Sequence, residues 1–268
     1  MTPELRSILL DLRSVIVAFS GGVDSAYLAW AATDVLGFGH TLCITAESPS
    51  YPAHHRQLAH GVARDFALRH EVIFTGEIDV PEYRANPENR CYFCKTELYG
   101  RLTAIARERG LAAVVDGTNA DDRGDYRPGR LAAKQFGVRS PLDEAGLTKA
   151  QIRALAREAK LPVWDEPASA CLSSRIPYHH DVTPAKLRQI ERGEDALHAL
   201  GFRVCRVRHH DTRASVELAP DDLPRALEPD MHAAIVRELQ AAGYESVTID
   251  PKGYRTGSLN EGLILRVI

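Results

Sequence analysis

VIVAFSGGVDS, Val15 to Ser25, decides how the rest of this chain is read. Val15 to Phe19 are apolar and rich in β-branched side chains, which suits a strand buried on both faces. Two glycines follow, and they let the backbone turn tightly and pass close to a ligand. From Asp24 apolar residues recur at helical spacing as far as Leu36, with Gly37 placed as a C-cap. Strand, glycine turn and helix in that order present the N–H groups of a helix N-terminus at a strand end, which is a cradle for an anion. Ser20, Gly21, Gly22, Val23, Asp24 and Ser25 are therefore the expected phosphate-binding residues, and ATP the expected ligand. The turn has no lysine of the kind found in GxxxxGK[ST] loops, so release of pyrophosphate is expected rather than γ-phosphate transfer. Asp24 is the candidate for holding Mg²⁺.

Outward from this unit the alternation continues. Strands are expected near 41–46, 71–74 and 112–116, and helices near 53–68 and 96–109. Repeated strand–helix units predict an α/β fold, a parallel sheet with helices on both faces. Ligands of such sheets bind beyond the C-terminal strand ends. SPSYP (48–52) and DGTNADD (116–122) fall at such ends beside SGGVDS, so three motifs converge on one edge. Gly117, Thr118 and Asn119, with Asp116, Asp121 and Asp122, are the expected contacts to ribose, adenine or Mg²⁺.

Beyond this sheet, SPLDEAGLT (140–148) reads as a linker before a helix near 149–160, and 161–181 as a long loop. Thr183-Pro184 caps a helix ending near Gly201. Strands at 203–208, 215–218 and 246–249 and a helix near 230–242 complete a smaller α+β domain. The boundary is expected near Tyr178 to Thr183, giving domains 1–180 and 181–268.

The balance of 33 basic against 36 acidic residues, a net charge of −3, speaks against a broad nucleic-acid-binding surface. The N-terminal stretch MTPELRSILLDLRS interleaves charges with apolar residues, so no signal peptide or membrane span is expected and a cytoplasmic location follows. Five cysteines without an export signal read as thiols for chemistry or metal rather than as a disulfide framework.

Cys91 and Cys94 in NRCYFCK stand one helical turn apart if a helix begins there, and such a pair suits redox chemistry, zinc or part of a cluster site. With Cys171 they would make a three-thiol set, leaving one iron of a [4Fe–4S] cluster open. Cys171 itself, in ACLSSR, has two hydroxyls and a guanidinium for neighbours, a setting for a nucleophile; a small buried thiol is the alternative. Cys43 and Cys205 lie in apolar strands and are expected in the core. Arg206 and Arg208 in RVCRVRHH share one strand face, opposite Cys205 and Val207, and suit a phosphate as well as they suit a solvated face.

With these residues in hand, the chain resembles the LarE family, ATP-dependent sulfur transferases of nickel-pincer nucleotide biosynthesis that mature the cofactor of lactate racemase. The resemblance is carried by SGGVDS, SPSYP, NPENRCYFCK, DGTNADDRGDYRPG, VRSPLDEAGLTK, PVWDEPASACLSSRIPY and RVRHH, and covers most of the chain. It implies a PP-loop domain of the adenine nucleotide α hydrolase type. It also implies that ATP adenylates the carboxylates of pyridinium-3,5-biscarboxylic acid mononucleotide, and that sulfur then replaces AMP. Cys171 matches the family's sulfur donor, whose loss of sulfur leaves dehydroalanine. Ser174, Arg175 and Arg206 resemble the family's substrate-phosphate residues, with Arg208 as the alternative register. Family members with a cluster imply a second source, sulfide on a [4Fe–4S] cluster held by Cys91, Cys94 and Cys171. A tRNA thiolase or an amidotransferase are the competing enzymes with the same ATP loop. The expected partners are a small nucleotide substrate and further copies of the chain, with no membrane and no nucleic acid.

Overall fold

In the computed structural model, residues 1–124, 127–167, 170–255, 257 and 259 are described. The described residues divide into two compact units, the first built from those before 84 and between 89 and 167, the second from Arg84–Glu88 and those from Ala170 to 259.

In the first unit α1 (Pro3–Leu12) leads into β1 (Val15–Ala18), which the SGGVDS turn joins to α2 (Val23–Leu36). There follow β2 (Thr41–Glu47), α3 (Ala53–Asp65), β3 (His70–Phe74), the short α4 (Pro81–Arg84), α5 (Arg90–Glu108) and β4 (Ala113–Val115). Three more helices, α6 (Gly129–Gln135), α7 (Pro141–Glu144) and α8 (Lys149–Glu158), close the unit. The strands pair in parallel in the order β3-β2-β1-β4, with Val15 opposite both Thr41 and Ala113.

The two-residue period of a strand explains why helices cover both faces. Val15 and Val17 enter a core with Leu5 of α1, Tyr27 of α2, Ala59 of α3 and Ile152 of α8. Ile16, between them, enters the opposite core with Tyr99 and Leu102 of α5 and Ala132 of α6. The predicted α/β sheet is therefore present. Because β2 and β3 lie on one side of β1 and β4 on the other, the strand order reverses at the β1–β4 edge, the place where such sheets open a crevice.

Three features of this unit depart from the sequence expectation. Helix α5 begins at Arg90 instead of near 96, which puts Cys91 in its first turn and Cys94 about one turn further on. The stretch read as a linker at 140–148 contains α7, begun by a proline and holding Leu142 fully buried. Helices α4 and α6 were not expected; each is too short for a periodic pattern to emerge from sequence.

The second unit has α9 (Pro184–Ala199), β5 (Cys205–His210), β6 (Arg213–Leu218), α10 (Leu223–Ala226), α11 (Pro229–Ala241) and β7 (Ser246–Ile249). Strand β5 pairs antiparallel with β6, and β6 parallel with β7. Cys205, Val207, Ala214 and Val216 meet Leu197 of α9 and Ile235 and Leu239 of α11 in a core separate from the two above. The expected boundary near Tyr178–Thr183 lies inside this unit. The loop after residue 170 belongs with α9 and β5 because its Arg175 pairs with Glu194 and its Ser174 carbonyl accepts from Arg208. Asn86 is fully buried in the same unit, donating through Nδ2 to the carbonyls of Ile176, Pro177 and His180 at 3.3, 2.7 and 3.1 Å. The end of the expected domain, 260–268, lies outside the described residues. Among those described, no helix is long and apolar enough to cross a membrane.

Candidate functional site

In the first unit the SGGVDS turn is fixed by its own two serines. Ser20 N–H donates to Ser25 Oγ at 3.1 Å, and Ser25 Oγ–H donates to the Gly22 carbonyl at 3.0 Å. Gly21 has φ +73°, and a Cβ there would stand 2.8 Å from the Ala59 nitrogen, so the position admits glycine alone. Gly22 is the N-cap of α2 and has no side chain with which to cap the first turn, an arrangement that suits an anion.

The neighbouring strand ends are braced against this turn. Tyr51 Oη–H donates to the Ser20 carbonyl at 3.0 Å. Ser48 and Ser50 of SPSYP both donate to Glu77 Oε1, at 2.5 and 2.8 Å, and Glu77 is almost fully buried. Sequence reasoning missed Glu77, since it lies 29 residues beyond Ser48 with no motif around it. Across the crevice, a Cβ on Gly117 would lie 2.9 Å from Ser25 N, so the end of β4 touches the start of α2. Asp116 accepts from Tyr99 Oη at 2.6 Å, Ser140 Oγ at 2.8 Å and Thr118 N at 3.1 Å. Its work is to hold the DGTNADD turn. Within that turn Asn119 N–H donates to Asp122 Oδ2 at 3.0 Å, and Asn119 Oδ1 accepts from Asp121 N at 3.0 Å.

Asp24 sits where these elements meet. Its Oδ2 accepts from Lys149 Nζ at 2.5 Å, while Oδ1 is buried with no hydrogen-bond partner. Burial raises its pKa and Lys149 opposes the rise, with Asp122 adding a repulsive charge nearby. An orphaned carboxylate oxygen beside a second carboxylate is a donor set suited to a hard cation whose other ligands are phosphate oxygens and water. The Mg²⁺ expectation therefore fits the residues present. Lys149, at the first position of α8, was also missed: it lies 125 residues from Asp24.

In the second unit Cys171, half-buried, is the N-cap of a 3₁₀ turn over Leu172–Arg175. Arg175 is 1% exposed, so the direction of each of its donors matters. Nε and Nη2 form a fork on Glu194 at 2.8 and 2.9 Å, and Nη1 donates to the carbonyls of Ala170 and Cys171 and to Ser174 Oγ at 2.8, 3.1 and 2.9 Å. Burial by itself works against both charges of the pair; mutual attraction outweighs it, holding Arg175 above its ordinary value and Glu194 below its own. Arg208 donates to the Ser174 carbonyl at 2.8 Å and to Glu217 at 2.6 Å. Arg206 is buried, donates to the Cys205 carbonyl at 2.6 Å, and stacks 4.9 Å from the Tyr254 ring centroid. Burial, then the charge of Arg175, lowers its pKa. Ser174, Arg175, Arg206 and Arg208 are thus gathered in one unit around the Cys171 turn.

The cysteines are sorted by environment. Cys43 and Cys205 are fully buried, as expected, and burial pushes both thiols up, Cys43 to about 12. Cys91 is exposed and Cys94 half-buried on α5 in the first unit, whereas Cys171 belongs to the second. Among the described residues, neither unit by itself gathers three or more His, Cys, Asp or Glu side chains able to hold a metal ion, so a cluster fits neither unit alone.

No protein-family model matches the chain. An uncharacterised protein of Synechocystis sp. is 42% identical over 260 residues, 97% of each chain. The pyridinium-3,5-bisthiocarboxylic acid mononucleotide synthase of Lactiplantibacillus plantarum is 36% identical over 262 residues, 97% of this chain and 93% of that protein. An uncharacterised protein of Methanocaldococcus jannaschii is 29% identical over 246 residues, 91% of this chain and 92% of that one.

Proposed function

The chain belongs to the family of the pyridinium-3,5-bisthiocarboxylic acid mononucleotide synthase, the LarE family, and we propose that it performs the same sulfur transfer with ATP. The observation that carries this reading is similarity along nearly the whole of both chains, which takes in the SGGVDS turn and the Cys171 loop together. A carboxylate oxygen of pyridinium-3,5-biscarboxylic acid mononucleotide attacks the α-phosphorus of ATP, and the bond to the β-phosphate breaks. Pyrophosphate leaves and an acyl adenylate forms. The N–H groups at the start of α2 are proposed to hold the phosphates, and Asp24 would hold Mg²⁺, which when bound would supply positive charge to the phosphate oxygens.

Cys171 then supplies the sulfur. Its thiolate attacks the activated carbonyl and expels AMP, giving a thioester. Loss of the Cys171 α-proton breaks the Cβ–S bond; the electron pair of that bond stays on sulfur as a thiocarboxylate, and dehydroalanine remains at position 171. Two carboxylates are converted in turn, so one product molecule consumes two chains. The support in this unit is the Arg175 network, which fixes the carbonyls on either side of Cys171, a residue that is only half-buried. Arg206, Arg208 and Ser174 are the residues proposed to meet the substrate phosphate. For Arg175 the donors are already committed, which favours a bracing role.

Incubation with ATP, Mg²⁺ and the biscarboxylated nucleotide is expected to release pyrophosphate and to leave the peptide containing residue 171 lighter by one H₂S. Thiocarboxylate formed while that peptide keeps its mass would remove the sacrificial route. One observation favours a second source of sulfur: Cys91 and Cys94 share a face near the start of α5, three residues apart. Iron and sulfide analysis of anaerobically purified protein separates the two, because iron-free protein that makes product leaves only Cys171.

A further inference from the structure

Between α8 and the Cys171 turn, residues 163–166 form a strap that the first unit grips along its length. Val163 is fully buried in the core that holds Ile152 and Ala156 of α8. Arg157 stands over the Trp164 ring, 5.0 Å from its centroid. Arg153 grips the backbone itself, Nη1 donating to the Trp164 carbonyl at 3.1 Å and Nη2 to the Glu166 carbonyl at 2.6 Å. At the end of the strap His54 Nε2 stands 3.1 Å from Glu166 Oε1.

The last two grips come from the rim of the SGGVDS turn. His54 is the second residue of α3, just beyond SPSYP, whose Tyr51 donates to the Ser20 carbonyl. The charge of Arg153 reaches Asp24, where it opposes the rise in pKa that burial imposes. Glu166 precedes Cys171 by five residues, and five peptide units span at most about 18 Å. Holding Glu166 therefore limits where the Cys171 thiol can go.

We propose that Arg153 and His54 are positioning residues for sulfur transfer. By clamping 163–166 they shorten the free tether of Cys171, which raises the effective concentration of its thiol at the activated carbonyl. Arg153 does most of this, since its planar fork fixes two backbone carbonyls, whereas His54 is half exposed and its pair with Glu166 is weak. Neither residue touches the reacting atoms in this role. The proposal rests on the reading of Cys171 as sulfur donor, and the test separates the two.

Single-turnover reactions of the full chain with ATP, Mg²⁺ and the biscarboxylated nucleotide give two rates, release of pyrophosphate and loss of H₂S from the peptide containing residue 171. Arg153→Lys keeps the charge near Asp24 and loses the fork. It is expected to release pyrophosphate within about twofold of the unaltered rate and to lose H₂S about tenfold more slowly, the scale of one lost charged hydrogen bond. His54→Glu and Glu166→Lys, each alone, are expected to slow only the second step, about threefold. The double variant His54→Glu/Glu166→Lys restores an opposite pair and is expected to recover that rate. Hydrogen exchange at the Glu166 N–H, which donates to the Val163 carbonyl at 3.1 Å, is expected to quicken in the variants that slow the second step. Equal slowing of both steps, or an unchanged second step, overturns the proposal. So does a double variant no faster than either single one. Product formed with no loss from residue 171 overturns the donor reading instead, and the role of the strap with it.

Discussion

Arg175 and His209 show how differently two buried basic side chains are treated, one kept charged and the other neutral. All three nitrogens of the Arg175 guanidinium donate to oxygens of its own unit, and Glu194 Oε1 also accepts from the Val207 N–H at 3.0 Å. A sequence shows that an arginine follows Cys171 by four residues; it does not show that the partner is Glu194, nineteen residues on. His209 is only 3% exposed, with Nδ1 3.2 Å from Tyr244 Oη and Nε2 unpartnered. Burial, with the Lys186 charge adding to it, lowers its pKa from 6.5 to about 4. The unfolded chain then binds the proton more readily than the folded one. Stability contributed by the neutral ring is complete above pH 6.5 and is lost as pH falls from there toward 4. Thermal melts across that window are expected to show a falling midpoint, and His209→Phe a flatter profile. Parallel profiles for the two proteins would place the pH dependence elsewhere.

Among the elements, β1 and α2 were legible because a buried strand, two glycines and a helical period stand next to one another in sequence. The beginning of α5 was not. NPENRCYFCK mixes charged, aromatic and thiol side chains with no clear apolar face, and α5 buries Arg90 at its start and Tyr99, Leu102 and Ala106 further on. The pairing of β4 with β1 is likewise a tertiary matter, and Gly117 makes it consequential. A Cβ there meets the backbone of Asp24 and Ser25, which cannot give way as a flexible side chain would. Gly117→Ala is expected to push the end of β4 from the start of α2 and weaken ATP binding about tenfold or more, with a smaller effect on the melting temperature. Calorimetric titration with Mg–ATP, beside a melt, checks this; unchanged affinity would mean the two ends need not touch.

At the scale of the whole molecule, the chain builds two units with separate cores, and the second borrows Arg84–Glu88 from the middle of the first. Asn86, with φ +54° and three carbonyls on its amide, is what that short stretch contributes. Asn86→Ala removes the amide donor from the buried Ile176 carbonyl and from that of His180, while Pro177 keeps the His180 N–H, and is expected to cost about 1 to 2 kcal/mol in denaturant unfolding. A loss below about 0.5 kcal/mol, the usual range for surface changes, would show those carbonyls are satisfied otherwise. The sequence by itself determined the parallel α/β sheet, the glycine turn between β1 and α2, the further strands and helices of the C-terminal region and the family, because each is written in residues adjacent along the chain or repeated at a fixed period. Tertiary structure alone decided that the Cys171 loop belongs to the second unit, that Glu77 ties SPSYP, and that Lys149 stands on Asp24. These are pairings across 19 to 125 residues. Charge and hydrogen bonding act through space, and their partners are fixed only once packing has brought distant segments together.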